Sequence, residues 1–578
     1  MMKRLFSVLI LLGCTSFATA LKLPDGGTEL SDPRALQGSG PVKKGAESWQ
    51  IRVAEASDAA YSAQVSNPLK QNGFQAGDFV LAIIKARSTD SNRGNLIAKL
   101  QRDSPYEAAC DETAFDLTPA WTEYPVLFRS AIAADPGKAS IVLFAGHLKQ
   151  AVEVASIRVL RYPSTTPIQT FPRIRFTYEG REDDAPWRKA ALERIEKIRK
   201  NELSLTLTDA SGKPISGKNV RLVLRRHEFG FGSAVPAARI VEDSPNGEKF
   251  REIVDRLFSR VVFENDLKDF GWAAELAPHE KKHNLDTLSQ AFDWLESKNI
   301  EVRGHYLMQD AVPPNLAGVT DSEAIRRHFI TLTHERLDFV KNRVIDWDVI
   351  NHPIAWPGAD MLTQRQGLEK IDREILTIAR QKSKLPLYVN EDQIFRPGRQ
   401  SDETFNYIKS LNDEGFRIDG LGNQAHFHAS SLPSPAAMLE VTERFASIVP
   451  QQQITEFDVN TEDDEQLAAD FTRDILITAF SHPAYSGFLL WGFWEGSHWK
   501  KECASWNLDW TARKRGEVLE EWLGKRWRTE VVATTDANGT LQWRGFPGWY
   551  ELTTPDQSTP ILVRLSSKAP AARMPLAE

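Results

Sequence analysis

Between about residues 229 and 527 the chain repeats one unit: a short apolar run, a polar loop, then an amphipathic stretch. Eight such runs can be counted, at 229–233, 261–264, 302–305, 345–351, 387–390, 418–424, 453–457 and 488–493. Stretches with helical periodicity, such as 285–298, 322–341, 369–382 and 464–480, separate them. Parallel strands need a crossover of a dozen or more residues, and eight strand–helix units in about 300 residues fit an α/β fold of the (β/α)8 TIM-barrel class. Active sites of such barrels lie at the carboxyl ends of the strands, where almost every run here finishes in a polar or ionisable residue. Glu264, Asn265, His305, Asn351, His352, Asn390, Gln424, His426 and Glu456 are therefore expected to converge on one face.

The strings VVFENDLK, EVRGHYLM, WDVINH, LYVNED, IDGLGNQAHF, QITEFDV and WGFWEGSHW resemble, in order, the strand-end motifs of glycoside hydrolase family 10. That family consists mainly of retaining endo-1,4-β-xylanases, and the resemblance covers over half of the chain. It implies Glu456 as catalytic nucleophile. It also implies Glu264, Asn265 and Lys268 as holders of the glycone, and His305, Asn351, Asn390, Gln424 and His426 as a ring around the reacting sugar. Trp491 and Trp499 would be aromatic walls. Elementary chemistry points the same way. A retaining glycosidase needs a carboxylate beneath the anomeric carbon, a neighbouring imidazole can orient it, amides hold sugar hydroxyls, and indole faces stack on pyranose rings. Seven of the 16 Trp, at 491, 494, 499, 506, 510, 522 and 527, crowd around the eighth run, where a sugar-binding wall is expected. Trp522 and Trp527 are expected in the core and Trp491 in the cleft.

The departures fall on the leaving-group side. The family motif ends Asn-Glu, and that Glu is the general acid/base; here the pair is Asn351-His352. Gln309-Asp310 stands where the family has Trp-His, and Asn390-Glu391 where it usually has Asn-Asp. Three readings of His352 stay open. An imidazole with an ordinary pKa of about 6.5 can both donate and accept a proton near neutrality and so replace the carboxylate. Loss of the acid would instead leave a weak or inactive xylan-binding pseudoenzyme. As a minor alternative, His305, His352 and His426 with Glu456 or Asp310 are ligand types suited to a metal at the barrel mouth. The favoured expectation is cleavage of internal β-1,4 bonds in xylan or a related plant or algal glycan, with no metal or other cofactor.

Ahead of the barrel, residues 28–162 show short alternating runs broken by turns, without helical periodicity, as in an all-β sandwich. GDFVLAIIKAR, FDLTPAWTEYPVLF and SIVLFAGHLKQAVEVASIRVLRY resemble a jelly-roll carbohydrate-binding module of the family 4/9 type. Residues 163–200 read as a Pro-rich linker and a helix. Residues 201–228 and 528–566 share the pattern Thr-Asp-Ala-(Ser/Asn)-Gly and resemble two halves of a transthyretin-like sheet. The barrel, 229–527, would then be inserted into one small sheet, and 567–578 are expected to be a disordered tail.

Lys3-Arg4, an apolar run over 5–12 and Ala18-Thr19-Ala20 form a secretory leader pattern over 1–20, with lipid anchoring at Cys14 a lesser option. Secretion or a periplasmic location is the expectation. No later stretch is long and apolar enough to span a membrane. With 71 basic against 78 acidic residues, the chain lacks the basic surface that nucleic acid requires. Three Cys without ligand spacing exclude a zinc ribbon and a disulfide scaffold. A monomer acting on polysaccharide or oligosaccharide is expected.

Overall fold

Strands buried on both faces read as largely apolar runs, with polar side chains only where they partner one another, and the central runs fit that pattern. A computed structural model describes residues 21–576 apart from 58, 90–93, 111, 270, 271, 273–277, 356–358, 396, 397, 557 and 558. The leader pattern and Cys14 lie outside the described residues. Eight parallel strands close into a barrel: β1 Gly230–Val235, β2 Arg260–Phe263, β3 Glu301–Gln309, β4 Trp347–Asn351, β5 Leu387–Glu391, β6 Gly420–Asn423, β7 Gln451–Asn460 and β8 Tyr485–Leu490. Closure comes from β8 on β1, with Gly230 opposite Gly487 and Ser233 opposite Leu490. Gly232 is required where β1 meets β2, because a Cβ there would lie 1.7 Å from the Arg260 carbonyl oxygen.

Several of the crossover helices start on side-chain caps. Asp321 accepts from the N–H groups of Glu323 and Ala324 at the head of helix Ser322–Val340, and Ser434 and Asp464 cap Pro435–Ala446 and Glu465–Phe480 in the same manner. These helices pack an apolar face on the barrel in one continuous core that also holds Trp522, Trp527 and the small sheets' leucines.

Below the strand ends the barrel interior carries a buried ionic layer. Arg303 on β3, with no exposure, pairs with Asp346 at 3.0 Å and with Asp348 on β4 at 2.6 Å, while Gln453 on β7 donates to Asp346 at 2.6 Å. Removing one partner of a buried ion pair strands the others, at a typical cost of about 3–5 kcal/mol. Arg303→Ala is therefore expected to lower stability by about that amount in denaturant unfolding; an unchanged midpoint would contradict it.

Two observations revise the sequence expectations for the flanks. Residues 201–228 and 528–566 do pair, but as two sheets rather than one. Asn201–Thr208 takes Thr540–Gly545 antiparallel, and Asn219–His227 lies between Glu530–Thr534 and Gly548–Thr553, with Ile561–Leu565 outside the latter. The shared Thr-Asp-Ala-x-Gly pattern proves to be a turn device. Asp209 accepts from Ser211 and Lys213 N–H, Asp536 from Asn538 and Thr540 N–H, and Gly212 and Gly539 take positive φ. The expected disordered tail is instead a strand as far as Pro575. Ala571–Pro575 pairs parallel to Asn201–Thr208, because that edge has backbone groups to satisfy and Ala572 and Met574 pack against the core.

The chain divides after Arg175, and the N-terminal unit is a sandwich of two six-stranded sheets, antiparallel throughout, around its own core. The three strings quoted from sequence fall on strands Phe79–Ser88, Thr113–Leu117, Thr122–Arg129, Ala139–Phe144 and Gln150–Tyr162, and Gly94–Asp103, which they leave out, is another. Leu96, Ala98 and Leu100 face its core while Asn95, Lys99 and Gln101 face outward. From Phe176 onward the chain belongs with the barrel. Helix Pro186–Arg199 is pinned there by Arg188 on Asp474 at 2.8 Å and by Arg199 donating to the Phe480 and Tyr485 carbonyls. None of the described helices is long and apolar enough to cross a membrane.

Candidate active site

In a parallel barrel the last residue of each strand faces a shared mouth, and here backbone bonds lock neighbouring strand ends together. His352 N–H donates to Asn390 O, Gln424 N–H to Glu391 O and Glu456 N–H to Gln424 O, each at 3.0–3.1 Å. The side chains above them form two connected groups around Glu456.

The first group holds the carboxylate. Glu456 Oε1 accepts from Asn390 Nδ2 at 2.7 Å, and Thr455 Oγ1 fixes Asn390 by donating to its Oδ1 at 2.7 Å. Glu456 Oε2 lies 3.4 Å from His426 Nε2, whose Nδ1 lies 3.1 Å from Asp458; Trp499 Nε1 donates to Asp458 at 2.7 Å. Burial alone would push Glu456 up, but the hydrogen bond from His426 and the charges of His305, His426 and Lys268 bring it down to about 2. Burial disfavours the charged His426 ring, yet Asp458 and Glu456 outweigh it and raise its pKa to about 10. The pair is thus a carboxylate held against an imidazolium.

The second group reaches His352. Asn390 Nδ2 also donates to Asn351 Oδ1 at 2.9 Å, and Gln424 Nε2 donates to the same oxygen at 3.2 Å. Gln424 Nε2 lies 3.1 Å from His352 Nε2, and His352 Nδ1 lies 3.0 Å from Glu391 Oε1. Asn351 Nδ2 donates to Gln309 at 3.2 Å. Burial works against protonation of His352, but the hydrogen bond and charge of Glu391 prevail and raise its pKa above the ordinary 6.5.

On the other side of Glu456, Lys268 lies 5.4 Å from the Trp491 ring and 5.7 Å from Tyr306. Burial lowers its pKa and raises that of Glu264, which bonds to Asn265; both Lys268 and Glu264 feel the charge of Glu456. His305 packs edge-on against Trp491 and pairs with Asp348 at 2.9 Å, while burial lowers its pKa. All twelve residues selected from sequence stand at this mouth.

Three expectations change. Trp491 is 6% exposed and packs edgewise, whereas Trp499 is 51% exposed, so the open indole is Trp499. Trp494, which stacks on Trp510 at 4.4 Å, and buried Trp506 are packing rather than a sugar wall, while Trp522 and Trp527 lie in the core as expected. Among the described residues no three His, Cys, Asp or Glu side chains are grouped as a metal site requires, so the three-histidine metal reading loses its geometry. Asp310 is turned away instead, accepting from Thr363 N–H at 3.0 Å.

Asp458, Asp348 and Arg303 escaped the sequence reading. A signal existed in the period of two: Asp458 follows Glu456, His305 follows Arg303 and Asp348 follows Asp346 on the same strand face, and ionisable residues at that spacing in a doubly buried strand must partner across the barrel.

The sequence profile described as glycosyl hydrolase family 10 matches residues 220–515, just over half of the chain. Among curated proteins, the anti-sigma-I factor RsgI6 of Acetivibrio thermocellus is 30% identical over 370 residues, covering 64% of this chain and 46% of that protein. Endo-1,4-beta-xylanase 1 of Arabidopsis thaliana is 25% identical over 366 residues, covering 61% of this chain and 36% of that one. The chain thus spans under half the length of both. Among solved structures, the CBM22-1–GH10 modules of Clostridium thermocellum endo-1,4-beta-D-xylanase 10B, complexed with xylohexaose, align over 86% of this chain and 98% of that one, at 12% identity and a TM-score of 0.44.

Proposed function

The chain belongs to glycosyl hydrolase family 10, and from that premise we propose that it cleaves internal β-1,4 bonds of xylan or a related plant or algal glycan with retention, using Glu456 as nucleophile and His352 as acid/base. The observation that carries this reading is the continuous set of hydrogen bonds from Glu456 through Asn390, Asn351 and Gln424 to His352, backed by Glu391. It couples an anionic nucleophile to a ring able to gain and lose a proton.

In the first step Glu456 attacks the anomeric carbon while His352, as an imidazolium whose Nε2–H is directed to the departing oxygen in place of the Gln424 contact, gives that oxygen its Nε2 proton. In the second step neutral His352 takes a proton from water, which attacks the same carbon and releases Glu456. His426, cationic between Glu456 and Asp458, keeps the nucleophile ionised and aimed. Glu264, Asn265 and Lys268 would hold the glycone against Trp491, with Trp499 as the open stacking face. We place this activity outside the cytoplasm, on the leader pattern over 1–20. The sandwich, by its resemblance to carbohydrate-binding modules, would hold the polymer.

The pH profile tests the assignment. The acid must carry its proton, so activity falls as pH rises through the His352 pKa, which lies above 6.5. The nucleophile must be ionised, and with a pKa of about 2 it is already so throughout the acid range. The expected profile of kcat/KM on xylo-oligosaccharides is flat from about pH 4 to about 6.5 and declines above that. A limb centred near pH 4.5, or undiminished activity at pH 9, would count against it.

A further inference from the structure

Behind the ring of His352 the fold places a carboxylate with no solvent exposure. We propose that Glu391 is a positioning residue for His352, accepting its Nδ1–H and so holding the tautomer that leaves Nε2 on the side of Gln424 for proton transfer. This rests on His352 serving as the acid/base.

Glu391 is itself held by two backbone donors. Oε1 accepts from Asp392 N–H at 2.8 Å and Oε2 from Ile354 N–H at 3.1 Å, which leaves Oε1 to meet His352 Nδ1 at 3.0 Å as an acceptor. The backbone of His352 is in the left-handed region, at φ 50°, a conformation that costs a non-glycine residue free energy and persists only where surroundings impose it. Its N–H, bonded to Asn390 O, supplies that constraint at the end of β4. The opposite ring nitrogen faces Gln424 Nε2, which donates its other hydrogen toward Asn351. Both contacts therefore select one neutral tautomer. With hydrogen on Nδ1, the ring donates to Glu391 and accepts from Gln424; with hydrogen on Nε2, a lone pair meets the Glu391 oxygen and N–H meets N–H.

Two of the sequence departures thus touch each other. His stands in the acid/base position, and Glu, one methylene longer than Asp, is the residue that reaches its Nδ1. The charged groups facing the ring are Glu391 from β5, Asp392 just beyond it, and Glu456 from β7, all carboxylates. Glu391 makes the direct hydrogen bond, so its charge has the largest hold on the proton affinity of the ring.

The test uses the full chain labelled with 15N-histidine, following His352 by two-bond 1H–15N correlation across pH, with the signal assigned by its loss in His352→Ala. Wild type is expected to show the Nδ1–H tautomer with a midpoint above 6.5. Glu391→Gln should lower that midpoint by about one unit or more and populate the Nε2–H form, while Glu391→Asp, which keeps the charge, should stay nearer to wild type. In kinetics, the alkaline limb of kcat/KM should move to lower pH by the same interval in Glu391→Gln. An Nε2–H tautomer in wild type, which is read without any variant, would overturn the proposal; so would an unmoved midpoint in Glu391→Gln. If the spectra behave as stated but hydrolysis shows no alkaline limb, the acid/base reading fails and the positioning by Glu391 stands.

Discussion

Replacing Glu456 by Ala is expected to lower kcat/KM on xylo-oligosaccharides by on the order of 10⁴-fold or more, because the step that forms the covalent intermediate loses its nucleophile. The carboxylate accepts from Asn390 at 2.7 Å and faces His426 and Lys268, so the variant leaves cationic groups aimed at an empty position. That arrangement makes a second outcome specific. Small anions such as azide should enter the space, attack the anomeric carbon of an activated aryl β-xyloside from the nucleophile's side, and restore turnover with an α-glycosyl azide as product. A general loss of folding would give no such rescue. Undiminished hydrolysis in Glu456→Ala would remove Glu456 from the mechanism.

His352→Ala carries the other large effect. General acid/base catalysis typically supplies about 10²–10⁴-fold, and the whole of it should be lost for xylo-oligosaccharides, whose leaving oxygen needs a proton. For a dinitrophenyl glycoside, which leaves without one, kcat/KM should fall by less than about tenfold, since that parameter reports formation of the glycosyl-enzyme. Turnover of the same substrate should still slow, because water attacking the intermediate has lost its base; kcat and KM should then fall together, and a burst of dinitrophenolate should appear. Azide added here should give the β-glycosyl azide, the opposite anomer from Glu456→Ala. Equal losses on both substrates would mean that His352 is a structural residue.

The barrel was legible in the sequence because its strands are short, largely apolar and evenly spaced, and the mouth was legible because most of the strands end at or beside a polar or ionisable residue. Less visible were residues whose role depends on a partner in another strand. Arg303, Asp346 and Asp348 look like isolated charges until β3 and β4 bring them within 3.0 Å. Glu391 looks like a modest change from Asp until the fold brings its Oε1 to 3.0 Å from His352 Nδ1. The Trp cluster misled for a related reason. Composition locates indoles near the eighth strand, but only packing separates a stacked pair such as Trp494 and Trp510 from the open face of Trp499. The final strand, Ala571–Pro575, is too short for its alternation of Ala572 and Met574 to mark it, and it forms on the edge that Asn201–Thr208 offers.

The central claim is that a family 10 site with histidine in the acid/base position still hydrolyses its polymer. Proton NMR of linear xylan during digestion by the wild-type chain tests cleavage and stereochemistry together. The account predicts new reducing ends that first appear as the β-anomer and only later equilibrate to the mixture. Xylan retained by the protein with no reducing ends released would contradict it, and would make the same groove a binding site alone.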